Sequence, residues 1–277
     1  MKLLTFTKMS GAGNDFVVID KKQNHNLVLD EKFVRLICDR RNGIGADGLI
    51  TIEDSPEFNF IMTYYNADGT TGSLCANGAR CAIQFASITS RLNNTHADFI
   101  SNGVKYKGIV RADSEITFYL NPPIEIKYNF KVKIKEQLIN AHFADTGSPH
   151  LVIDTGENKD FFSSLEAIPV EELGRGIRFL DEFSPEGTNV NFILVKDGRV
   201  NIRTYERGVE AETLACGTGS VAAALICYFN HKLRVPIEII PKSKEKLFVN
   251  FDVVNSKVMN LSLTGPAKVI FTGEIKI

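Results

Sequence analysis

Three short segments recur in the same order about half a chain later, and this repetition limits the fold more than any other feature of the sequence. Gly13-Asn14-Asp15-Phe16-Val17-Val18-Ile19-Asp20 lies over Gly147-Ser148-Pro149-His150-Leu151-Val152-Ile153-Asp154, displaced by 134 residues. Gly45-Ala46-Asp47-Gly48-Leu49-Ile50 parallels Gly187-Thr188-Asn189-Val190-Asn191-Phe192 at 142. Tyr65-Asn66-Ala67-Asp68-Gly69 through Leu74-Cys75-Ala76-Asn77-Gly78 corresponds to Tyr205-Glu206-Arg207-Gly208 through Leu214-Ala215-Cys216-Gly217-Thr218-Gly219, at 140 to 141. Collinear matches at a nearly constant displacement indicate one duplicated unit, each copy having the length of an ordinary domain. The first copy is placed at residues 1–120 and the second at 121–265, divided at Leu120-Asn121-Pro122-Pro123, where a double proline cannot continue a β-ladder. Residues 266–277 have no equivalent after the first copy and are expected to return to it.

Within each copy, short β-branched or aromatic runs bounded by turn residues read as strands: 58–65, 116–120, 200–205, 237–240, 247–251 and 258–263. One amphipathic helix is predicted over 29–38, where Phe33, Val34, Ile37 and Cys38 share a face behind an Asp30 cap; its counterpart is 170–179. A second helix in each copy follows a cysteine directly, 77–86 after Cys75 and 218–227 after Cys216. Both are apolar almost all round, which places them inside a curved sheet. Short turns between successive strands predict largely antiparallel pairing. The fold class is therefore mixed α/β, mainly antiparallel, in two pseudo-symmetric domains, each a curved sheet wrapped around a central helix.

The 277 residues carry 32 Lys+Arg against 33 Asp+Glu, a net charge of −1 without a basic run, so a nucleic-acid partner is not expected. The most apolar stretch, 221–229, is far shorter than the roughly 20 residues that span a bilayer, so no membrane insertion is expected. The first eight residues lack the pattern of a secretory signal, and the expected location is the cytoplasm. Five cysteines without paired short spacings argue against a disulfide scaffold and against a four-ligand zinc site; no metal is expected. Cys38, Cys81 and Cys227 lie within helical patterns and read as small core residues. The oligomeric state is left open, a homodimer being one arrangement the sequence allows.

Cys75 and Cys216 call for a different reading. A thiol at the first turn of a helix meets unpaired backbone N–H groups and the positive end of the macrodipole, both of which favour thiolate. The small residues Ala76, Gly78, Gly217 and Gly219 would let an anion such as a carboxylate approach the same N–H groups. If the two copies face each other about a pseudo-twofold axis, the thiols converge on opposite faces of one bound carboxylate. One thiolate can then take the proton from the carbon beside that carboxylate while one thiol returns a proton with inverted configuration. The carbanion between these steps spreads its charge onto the carboxylate, where two helix N-termini stabilise it. That chemistry requires no pyridoxal phosphate, metal or nicotinamide, and the sequence has no Walker loop, paired-His motif or dinucleotide-binding turn.

Other readings remain open at this point. Two activated thiols could form a disulfide and make the protein a redox sensor, although thiol redox proteins usually hold their cysteines close in sequence. A related isomerase could use a carboxylate in place of the thiols. Asn66-Ala67-Asp68-Gly69 is also an ordinary turn signal, Glu206-Arg207 could be a solvated ion pair, and His150 could cap a strand end. The positions of Asn66 and Glu206, directly after the matched tyrosines, favour function.

Six ordered motifs together resemble the diaminopimelate epimerase family over nearly the whole chain: Gly11-Ala12-Gly13-Asn14-Asp15-Phe16, Arg41-Asn42-Gly43-Ile44-Gly45-Ala46-Asp47-Gly48, Asn66-Ala67-Asp68-Gly69, Cys75-Ala76-Asn77-Gly78-Ala79-Arg80, Tyr205-Glu206-Arg207-Gly208 and Ala215-Cys216-Gly217-Thr218-Gly219. The resemblance implies cofactor-independent interconversion of LL- and meso-diaminopimelate, feeding lysine and peptidoglycan synthesis. It also implies two α/β domains, each an antiparallel barrel around a central helix, with the substrate between them. By the same resemblance Cys75 is the proton donor and Cys216 the acceptor in the LL-to-meso direction. Asn14, Asn66, Asn189 and Arg207 hold the substrate, and Asn77, Gly217, Thr218 and the Ala76 backbone hold the reacting carboxylate. Glu206 faces the α-amino group and, with His150, tunes the thiols. A two-cysteine proline or hydroxyproline epimerase is the nearest alternative; Glu206-Arg207 speaks against it, since proline has no distal charged group. This chain departs from patterns common in the family at Ser148, where many members have Asn, and at Gly48, where some carry Gln.

Overall fold

A computed structural model describes residues 3–25, 27–72 and 74–276. Met1, Lys2 and Ile277, at the outer ends of the first copy and of the returning tail, lie outside the described residues. The chain forms two compact units, Met1–Leu120 with Thr264–Ile277, and Asn121–Leu263.

The first unit runs β1 (Leu3–Gly11), β2 (Asn14–Asp20), α1 (Glu31–Cys38), β3 (Gly48–Glu53), β4 (Phe60–Asn66), α2 (Ala76–Ile88), β5 (His96–Ser101), β6 (Val104–Val110) and β7 (Glu115–Tyr119). The second runs β8 (Glu125–Ile134), β9 (Gln137–Asp145), β10 (Pro149–Asp154), α3 (Val170–Arg178), β11 (Asn189–Lys196), β12 (Arg199–Glu206), β13 (Ala211–Thr213), α4 (Gly217–His231), β14 (Ile237–Ile240) and β15 (Leu247–Val254). β16 (Lys257–Pro266) leads the chain back. From Thr264 onward it belongs to the first unit, where Thr264 Oγ1 lies 2.8 Å from Thr117 Oγ1. β17 (Lys268–Lys276) then pairs antiparallel with β1 from Leu3↔Lys276 to Ser10↔Lys268.

The sheets are mixed and mainly antiparallel, as the sequence predicts. The expectation that strands are joined only by short turns needs correction at four places. β2–β3, β4–β5, β10–β11 and β12–β14 pair in parallel, and each of the four helices lies in the connection between one of these pairs. The physical reason is reach: a parallel neighbour requires a return crossing the length of the sheet, which a tight turn cannot make and a helix can.

Each unit uses one helix outside and one inside its strands. Asp30 caps α1 by accepting from Phe33 N, and Val34, Ile37 and Cys38 pack with Leu4, Val17 and Leu49. On α3, Glu171 and Glu172 in the first turn and Arg175 and Arg178 in the last complement the macrodipole, while Leu173 and Ile177 meet Leu151, Val190 and Phe192. The inner helices have no polar face. α2 contacts β1, β2, β3, β4, β6 and β7, and α4 contacts β8 to β12, β14 and β15. Asn77 and Arg80 are buried polar residues on α2, and Arg80 is turned back onto its own first turn.

The matched glycines of the repeat share a backbone state. Gly13 and Gly147 have φ of 94° and 95°, Gly45 and Gly187 have 79° and 71°, and Gly69 and Gly208 have 89° and 90°. Side-chain-bearing residues rarely adopt this region, so the repeat is marked where the backbone demands glycine. Among the described residues no helix is long and apolar enough to cross a membrane.

The interior of the first unit is aromatic beside α2. Phe99 is fully buried, stacks on Phe60 at 4.8 Å and lies 6.2 Å from Phe118. Phe99→Ala is expected to cost about 3–5 kcal/mol, read as a lower urea midpoint at unchanged slope; a loss under about 1 kcal/mol would show that the cluster does not hold the unit together.

Candidate active site

Cys75 and Cys216 are the N-cap residues of α2 and α4. Both backbones are extended there (φ −84°, ψ 118° and φ −106°, ψ 119°) and turn helical at the next residue, which sets each sulfur beside its helix's first turn. Cys75 is half-buried and Cys216 is buried. The sulfurs differ in their hydrogen bonds. Gly219 N–H donates to Cys216 Sγ at 3.4 Å, and Thr218 Oγ1 lies 3.6 Å from the same atom. Cys75 Sγ instead donates to Asn14 Oδ1 at 3.6 Å.

In the first unit, the amide of Asn14 is fixed from behind. Its Nδ2 donates to Asp47 Oδ2 at 2.7 Å, and because a carboxylate only accepts, Oδ1 must be the end that faces Cys75. The same Oδ1 accepts from Asn77 Nδ2 at 3.3 Å. Asn77 is buried, and its Oδ1 accepts from Arg80 Nη2 at 2.9 Å, so Arg80 fixes that amide in turn. Behind Asp47, Arg40 bridges to Asp15, which also pairs with the buried Lys8. Burial pushes the Asp15 carboxyl up, but hydrogen bonds from Arg40 and Lys8 outweigh it and hold the group well below the usual carboxylate range. Ala76 is buried as the first residue of α2. Asn66 ends β4 and is bonded within its own turn, donating from Nδ2 to Thr70 Oγ1 at 3.0 Å. At Gly48 a Cβ would come within 2.6 Å of the Tyr64 ring, so that ring occupies the space a longer residue there would use.

In the second unit, His150 is fully buried on β10. Its Nε2 lies 2.9 Å from Thr218 Oγ1 and 3.0 Å from Ser148 Oγ, and its Nδ1 lies 3.2 Å from Asn191 Nδ2. Burial, reinforced by the charge of Arg207, pulls this imidazole down to about 3, so it is neutral at physiological pH. Gly217 and Thr218 form the first turn of α4, and Thr146 Oγ1 donates to Thr218 O at 3.2 Å. Asn189 spends its amide on the backbone, donating to Pro149 O at 2.8 Å and accepting from Arg207 N–H at 2.9 Å. It thereby fixes the strand end from which Arg207 and Glu206 project. Glu206 accepts from Thr213 Oγ1 at 2.9 Å, while Arg207 pairs with Glu186 at 3.7 Å.

The first unit thus joins Cys75, Asn77 and Asn14 in one bonded group, and the second joins Cys216, Thr218 and His150. Asp47, Arg80 and Asn191 hold these groups in place, and sequence reasoning assigned them no role although all three stand inside the quoted segments. A polar residue in an apolar run is the signal that marks Arg80 among alanines and Asn191 between Val190 and Phe192. At the opposite end of α4 from Cys216, donor atoms of Asp154, Glu157 and His231 lie within 4.8 Å of one another. Here His231 is 2.7 Å from Asp154, and Glu157 pairs with His142 at 3.0 Å and accepts from Asn140 at 2.7 Å. The cluster places an imidazole between two carboxylates at the helix C-terminus, the end that favours a cation.

Comparison with known proteins gives the family. The family model for diaminopimelate epimerase matches residues 6–118 and 142–270. A diaminopimelate epimerase of Chlorobaculum tepidum is 40% identical over 273 residues, covering 97% of this chain and 100% of that one. One from Aquifex aeolicus is 35% identical over 291 residues, covering 98% of each. Among solved structures, a hydroxyproline epimerase from Agrobacterium vitis shares the fold with a TM-score of 0.74 at 10% identity, over 99% of this chain and 92% of that one.

Burial pushes the thiols of Cys38 and Cys81 up to about 12 and that of Cys227 up as well. Iodoacetamide at neutral pH is therefore expected to label Cys75 and Cys216 in the native protein and to reach the other three only after denaturation. Peptide mass spectrometry reads the outcome, and native labelling of Cys81 would contradict it.

Proposed function

The chain belongs to the diaminopimelate epimerase family, and on that premise we propose that it interconverts LL- and meso-diaminopimelate through Cys75 and Cys216, without a cofactor. In the LL-to-meso direction the Cys216 thiolate removes the α-proton, breaking C–H and forming S–H. The carbanion then takes the proton of the Cys75 thiol on its opposite face, leaving Cys75 as thiolate. The reverse reaction exchanges the roles.

The observation that carries this reading is the opposite polarity of the two sulfurs. Cys216 Sγ accepts a backbone N–H, as a base requires, and Cys75 Sγ donates to an amide oxygen, as an acid requires. The carbanion delocalises onto the substrate carboxylate, where the first-turn N–H groups of α2 and α4, with Asn77 and Thr218, supply donors. A neutral His150 adds no competing positive charge and leaves the proton traffic to the sulfurs. Glu206 meets the α-ammonium group. Arg207, with the second Nδ2 protons of Asn14, Asn66 and Asn189, recognises the distal amino acid end, which is what distinguishes this substrate from proline. The product serves lysine and peptidoglycan synthesis, and the enzyme works in the cytoplasm.

In deuterated water the protein is expected to epimerise LL-diaminopimelate with exchange at the α-carbon and to leave proline untouched. Cys75→Ala and Cys216→Ala should each lower turnover by about 10²–10⁴-fold. Robust inversion by the double variant would refute the two-thiol mechanism.

A further inference from the structure

We propose that Asn191 is a positioning residue for Cys216: its amide locks the His150 imidazole in the Nε2-protonated tautomer, and this directs the Thr218 hydroxyl proton onto Cys216 Sγ. The catalytic meaning of this lock rests on the two-thiol reading; the lock itself does not.

The argument starts from acceptors that can only accept. Asn191 Nδ2 donates to Leu151 O at 2.9 Å, and a carbonyl has no proton to offer, so the nitrogen end of this amide is fixed. Its Oδ1 accepts from Thr204 Oγ1 at 3.0 Å, which holds the other end. Asn191 is fully buried, so no water competes for either bond. The second Nδ2 proton points to His150 Nδ1 at 3.2 Å. A ring nitrogen that receives a proton donor must carry a lone pair, and in a neutral imidazole the proton then sits on Nε2.

The Nε2 proton has two acceptors, and both lead to the same result. Donated directly to Thr218 Oγ1 at 2.9 Å, it makes that oxygen an acceptor. Donated to Ser148 Oγ at 3.0 Å, it turns the serine hydroxyl toward Thr218 Oγ1 at 3.4 Å, which again accepts. In both cases Thr218 keeps its own proton for Cys216 Sγ at 3.6 Å. The sulfur thus receives a hydroxyl donor besides the Gly219 N–H, both favouring thiolate. With the proton on Nδ1, Thr218 would donate to the bare Nε2 instead, and Cys216 would lose that donor. Gly219 belongs to the same design, because a Cβ there would come within 2.4 Å of Asn191 Oδ1. Arg207 is the charged group that acts on His150, and it disfavours the imidazolium.

The first test uses the unaltered protein. With ¹⁵N-labelled histidine, NMR at neutral pH should show His150 neutral and protonated on Nε2; the Nδ1-protonated form or an imidazolium would overturn the proposal. The second follows the pH dependence of alkylation at Cys216 and at Cys75 separately, by peptide mass spectrometry, without substrate. Asn191→Leu, which removes the donor while keeping the branched heavy-atom skeleton, should raise the Cys216 midpoint and lower its reactivity at neutral pH severalfold. Cys75 should not change. An unshifted Cys216 midpoint in a folded variant, or equal shifts at both cysteines, would overturn it. Neither readout depends on turnover, so a wrong substrate assignment and a wrong lock give different results.

Discussion

A helix buried all round leaves its first N–H groups without partners in a place water reaches poorly, and something must meet them. This constraint organises both units. α2 and α4 are enclosed by strands along their length, so polar chemistry gathers at their ends, the N-termini among them. A cysteine stands at each. Its small side chain fits the cap position, and its sulfur can take either role toward a proton. The helix that fills the core and the group that performs the chemistry are therefore consecutive residues, and the packing that stabilises the unit also aims the thiol.

What separates the two thiols is hydrogen bonding set one layer further out. An amide has one accepting and one donating end, so whatever pins one end decides what the other presents. Asp47 pins Asn14 and turns an oxygen toward Cys75. Leu151 O pins Asn191 and sends a proton toward His150. Duplicated scaffolds thus carry unlike groups: Asn14 is matched by Ser148 and Asn77 by Thr218 at equivalent places in the repeat. The backbone remained symmetric while the polar side chains diverged, and this divergence gives a symmetric frame a direction.

The features legible in the sequence were those fixed locally. The helix starts at Cys75 and Cys216 could be read because small residues and an apolar run mark them, and the strand at 237–240 because it is short and β-branched. The β8–β9 hairpin escaped because a register shift between Lys127 and Phe130, with Asn129 at φ 55°, interrupts the alternation that signals a strand. The four parallel pairings escaped because pairing direction is decided by where a connection returns, which no local window contains. For the same reason Arg80, Asp47 and Asn191 had no visible role: each acts on a residue brought near by a helical turn or by sheet register.

The return of β17 to β1 has a consequence for biosynthesis. The second unit is contiguous in sequence and has all of its residues once Leu263 has left the ribosome. The first unit emerges earlier yet stays incomplete until β17 is made, with β1 presenting an open ladder edge in the meantime. The half translated first is therefore the half finished last.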